Sequence, residues 1–60
     1  MFDVIVDIDE AIAQELSDWC DFNLDGFMGY VTHGTGHKFY FDTRKEARAF
    51  KIIMQNEEWN

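Results

Sequence analysis

Cys20 is the only cysteine in a chain of 60 residues, so no internal disulfide can stand in for an apolar core. A domain this short buries only about 60% of the surface its unfolded chain exposes, which leaves little room for a poor core. The composition answers that demand: 47% of the residues are hydrophobic, with six Phe and two Trp among them. A disordered acidic segment would be poor in aromatics. Residues 1–60 are therefore expected to fold as one domain. Proline is absent, and no repeat, linker or low-complexity stretch interrupts the chain.

The apolar spacing predicts five elements. Phe2, Val4, Val6 and Ile8 alternate with Asp3, Ile5 and Asp7, a strand over 2–8 with one buried face. Asp7 or Asp9 then caps a helix, and Asp7 with Glu10 forms an acidic variant of the capping box. Ile12, Leu16, Trp19 and Cys20 mark its buried stripe, and the helix should end near 21–23 before an Asp25-Gly26 turn. Phe27 to His33 reads as a second strand and Lys38 to Asp42 as a third. Between them His33-Gly34-Thr35-Gly36-His37 makes a hairpin in which two glycines supply positive φ. Thr43 and Glu46 form a T-x-x-E capping box for a second helix with an Ala47, Phe50, Ile53 and Met54 stripe. The order β-α-β-β-α, with adjacent antiparallel hairpins and a right-handed crossover, implies an α+β fold. It is a three-stranded antiparallel sheet with both helices on one face, a ferredoxin-like split β-α-β without its last strand. The first strand would then be an open edge, which Asp3 and Asp7 beside Ile5 would protect from self-pairing.

Charge is divided along the chain. Residues 1–37 contain no Lys or Arg and carry Asp3, Asp7, Asp9, Glu10, Glu15, Asp18, Asp21 and Asp25. All five basic residues, Lys38, Arg44, Lys45, Arg48 and Lys51, come later, and the net charge is −7 at pH 7. Such a surface repels nucleic acid and anionic lipid and favours a basic protein partner. Met1 is followed by an alternating segment without the basic and apolar regions of a secretory signal, and no stretch is long enough to span a bilayer. With one free cysteine, the expected compartment is the cytoplasm.

Chemistry-bearing patterns are few. Asp21-Phe22-Asn23-Leu24-Asp25-Gly26 resembles the first half of an EF-hand loop, with Asp21, Asn23 and Asp25 as oxygen donors for calcium. The resemblance stops there: Thr32 stands where the bidentate Glu belongs, and the following residues read as strand. A helix stop, with Phe22 and Leu24 packed beneath the turn, is the plainer reading. His33 and His37 flank a hairpin and lack the further ligands of a zinc site, so both read as solvent-facing turn residues. Gly34-Thr35-Gly36 joins two strands and lacks the helix and lysine of a phosphate loop. Cys20 lies on the buried stripe among acids, an inert setting. No catalytic residue, metal or cofactor is expected, and the chain reads as non-enzymatic.

Two surfaces remain. If Phe27, Val31, Phe39 and Phe41 face the helices, the open sheet face holds Ile5, Met28, Tyr30, Thr32, Lys38 and Tyr40. Tyr and Met rimmed by charge suit a protein interface, or equally a half-solvated sheet. The second surface is an acidic strip of Asp7, Glu10, Glu15, Asp18, Asp21 and Asp25. Carboxylates three or four residues apart on a helix step by roughly 5–6 Å, close to phosphate spacing, so the strip could mimic DNA in a basic groove. A solubilising face is the alternative. Trp59 would either pack on the core or serve as an anchor.

The phrase Phe41-Asp42-Thr43-Arg44-Lys45-Glu46-Ala47-Arg48-Ala49-Phe50, about one-sixth of the chain, resembles the F-x-T-R-x-E-A-R-x-F of small early proteins of tailed bacteriophages. What the resemblance implies is a host-directed inhibitor or anti-defence protein, anti-CRISPR-like action included, working in the host cytoplasm. The expected partner is a basic host protein, foremost a nucleic-acid-binding one. The competing expectations are a homodimer paired through strand one or the sheet face, and a calcium-dependent binding module.

Overall fold

The computed structural model describes residues 1–56; Glu57, Glu58, Trp59 and Asn60, and with them the expectation for Trp59, lie outside the described residues. The elements are β1 (Phe2–Val6), α1 (Glu10–Asn23), β2 (Phe27–His33), β3 (Gly36–Phe41) and α2 (Arg44–Gln55). The sheet order is β1-β3-β2 with both pairings antiparallel. This is the expected split β-α-β: β3 slots between two strands joined by a helical crossover. Among the described residues, one edge of β1 has no strand beside it.

Local chemistry sets the boundaries. Asp9 is the N-cap of α1, its carboxylate accepting the Ile12 N–H at 2.9 Å. The expected Asp7–Glu10 box does not form. Asp7 instead accepts the Thr35 hydroxyl at 3.3 Å, tied across to the hairpin, because β1 already stops at Val6. Thr43 caps α2 as its sequence predicts, accepting the Glu46 N–H at 3.3 Å. Its hydroxyl also donates to the Glu46 carboxylate. The hairpin is tighter than expected, with only Gly34 and Thr35 between the strands. Gly34 has φ +59° as such a turn requires, but Gly36 is a glycine for a different reason. A Cβ there would stand 2.2 Å from the Val6 carbonyl oxygen.

Both helices contribute to one core on one face of the sheet. Ala13, Leu16 and Cys20 of α1 meet Ala47 and Phe50 of α2 over Phe39 and Phe41 of β3, all buried. The Phe50 ring lies 5.0 Å from Phe39 and 5.1 Å from Phe41, centroid to centroid. Val4, Val6, Phe27, Tyr30 and Met54 close the rim. In a chain this small, three fully buried phenylalanines carry most of what the missing disulfide would have supplied.

One irregularity changes the sheet faces. Phe27 pairs with Phe41, but Gly29 pairs with Tyr40, so Met28 is an extra residue and the strand bulges there. Gly29 accommodates the bulge with φ +127°. Beyond it, alternation is shifted by one. Tyr30 and Thr32 oppose Phe39 and His37 on the helix-covered side, while Val31 opposes Lys38 on the open side. The expectation that placed Tyr30 and Thr32 outward and Val31 inward is corrected accordingly.

Candidate protein-binding surfaces

α1 presents Glu15, Asp18 and Asp21 to solvent, and Asp25 follows in the exposed turn. Phe22 sits among them with 89% of its surface exposed. It does not pack beneath the turn as expected: Leu24 takes that place against the core, and the helical step turns Phe22 away. The sequence held the signal, since Phe22 lies six residues after Leu16 and so on the far side of the helix from the core stripe. Among the described residues, the Lys or Arg that pairs with a carboxylate is Lys38, with Asp3 at 3.7 Å. The cations of α2 do not neutralise the α1 carboxylates.

Two members of the predicted strip are committed elsewhere. Glu10 stands at the first turn of α1, where it faces the sheet. One carboxylate oxygen accepts the Tyr30 hydroxyl at 2.9 Å, and the other lies 3.1 Å from Nε2 of His37. Nδ1 of His37 is 3.0 Å from the Ile8 carbonyl oxygen. His37 is only 5% exposed, a core residue and not a solvent-facing one. Its position two residues before Phe39 in a strand puts it on the inward face, a period-two signal that the hairpin glycines obscured. These bonds, that from His37 above all, hold the Glu10 carboxyl below its ordinary range. The same contact, with burial and the nearby charge of Asp18, pushes the Tyr30 phenol up. Glu10 and Tyr30 thus latch α1 to β2 and β3. Asp7, bonded to Thr35, likewise lies apart from the outer strip.

The open sheet face carries two cross-strand rows, Asp3–Tyr40–Gly29 and Ile5–Lys38–Val31, with Met28 exposed at the bulge. Ile5, Met28 and Tyr40 therefore share the surface expected of them, and Val31 replaces Tyr30. The candidate calcium donors are not arranged as a loop. Asp21 and Asn23 still belong to α1, and the Asn23 amide donates to the Trp19 carbonyl at 2.9 Å. Among the described residues no three His, Cys, Asp or Glu side chains converge as a metal site. Cys20 is sealed in the core, where burial pushes its thiol up to about 12, far from a reactive thiolate.

On the other side of the molecule, α2 overhangs the free edge of β1. Phe2, Val4 and Ile52 with Arg44, Arg48 and Lys51 line a groove of about 500 Å³ there. Sequence reasoning treated these cations only as the solvated side of α2. Their alignment with the strand edge becomes visible once α2 is laid against β1.

The chain matches no protein-family model, curated protein or solved structure. No helix among the described residues is long and apolar enough to cross a membrane.

Proposed function

We propose that this protein is a stoichiometric inhibitor, of the kind made by phages early in infection, that occupies the nucleic-acid-binding groove of a basic host or defence protein. The observation that carries the reading is the outer face of α1: uncompensated carboxylates at Glu15, Asp18 and Asp21, continued by Asp25, around the exposed Phe22. Carboxylates one helical turn apart match the phosphate step, which gives fit and attraction to a groove built for a backbone. Phe22 adds what phosphate mimicry alone lacks, an apolar anchor that would be desolvated at the centre of the contact. The role is binding and not catalysis, and it requires neither metal nor cofactor.

Affinity capture from bacterial lysate at low and high salt tests the reading. Basic nucleic-acid-binding proteins should be retained at low salt and released at high salt. The Asp18→Lys, Asp21→Lys double variant should lose them, and a purified captured protein should be displaced from its DNA by the wild type. Retention that ignores both salt and charge reversal would exclude the proposal.

A further inference from the structure

We infer a second, independent binding site: the free edge of β1, roofed by α2, is built to accept an acidic, extended segment of a partner protein as a fourth strand. Three observations converge on that occupant. First, β1 is an edge strand among the described residues, so alternate N–H and C=O groups along Phe2–Val6 point away from β3 with no described strand to receive them. Second, the space beside that edge is a groove of about 500 Å³ to which Phe2, Val4, Ala47 and Ile52 contribute apolar surface. Ile52 on α2 is 49% exposed above it, although it belongs to a helix otherwise packed on the sheet. A strand laid along β1 would cover this side chain.

Third, the groove is cationic on a molecule that is otherwise strongly acidic. Arg44, Arg48 and Lys51 recur at helical spacing along its length. Arg44 is held at one end with its guanidinium 5.7 Å from the centroid of the Phe2 ring. Arg48 and Lys51 pair with no carboxylate among the described residues. Asp3, the one acid among the described residues of the lining, is already matched by Lys38 at 3.7 Å. Arg44 and Arg48 are offset by about 6 Å along α2, and same-face residues of a strand by about 6.8 Å. Acidic side chains at alternate positions of an added strand would meet these cations in turn. A symmetric second copy fits poorly, because antiparallel pairing of two β1 edges brings two sets of Arg44, Arg48 and Lys51 towards each other. The site lies apart from the α1 face, so it stands whether or not that face binds a basic protein.

The test is amide-resolved NMR of the full chain titrated with a blocked hexapeptide alternating Glu and Val, against a Lys and Val control. The Glu peptide should shift Phe2–Val6 amides and slow their hydrogen exchange, more strongly at low salt. Arg48→Glu with Lys51→Glu, two exposed positions, should weaken it at least tenfold. Asp18→Lys should leave it bound, which separates this site from the α1 reading. Equal binding of the Lys peptide, shifts confined to α1 or the open sheet face, or no effect of the double variant would overturn the inference. So would tighter binding of oligodeoxythymidylate in the groove, or peptide-independent self-association through β1.

Discussion

Glu10 shows how one exposed carboxylate can serve the scaffold instead of the outer strip. Its carboxyl is depressed in the folded protein by the His37 and Tyr30 bonds, whereas in the unfolded chain it titrates near the ordinary 4.5. A depressed carboxyl contributes stability that is present above the unfolded value and lost as pH falls through the folded one. Urea midpoints should therefore drop between neutral pH and the region below 4.5, and Glu10→Gln should flatten that part of the profile. Gly29 offers a second test at this scale. Open space surrounds the position where its Cβ would be, but φ +127° suits only glycine. Gly29→Ala should cost about 1–3 kcal/mol through the backbone alone, read from chemical denaturation.

Among elements, the boundaries carried by caps and turns were legible. Thr43 with Glu46 announced α2, and β2 runs over the residues expected of it. What strict alternation could not reveal was the bulge at Met28, since a glycine in a strand signals an irregularity without fixing its register. The bulge inverts the remainder of β2, which puts Tyr30 on the helix-covered side within reach of Glu10. Asp7 and Asp9 were equally good caps on paper. Only the end of β1 at Val6 and the Thr35 bond decide between them. Asp9→Ala should consequently cost about 1 kcal/mol by loss of the Ile12 bond, whereas Asp7→Ala should cost less because its single partner is an exposed hydroxyl. Thermal denaturation of the two variants makes the comparison directly.

For the molecule as a whole, stability rests on a narrow base. Its radius of gyration is 10.2 Å, and the fully buried rings of Phe39, Phe41 and Phe50 fill the centre. Phe50→Ala should remove about 3–5 kcal/mol, comparable to the entire stability of so small a domain. Circular dichroism should find that variant largely unfolded at 25 °C. Glu15, Asp18, Asp21 and Asp25 are exposed, and helical spacing alone turns Phe22 outward among them, whereas the cationic groove depends on the tertiary placement of α2 against β1.

The division of charge between the two helices has a consequence for motion before contact. Acids gather on the solvent side of α1 and cations on that of α2, so the molecule has a permanent electric moment in addition to its net charge. Near any charged body it will feel a torque and arrive already turned, presenting one flank to positive objects and the other to negative ones. Fewer encounters are then wasted on the wrong side.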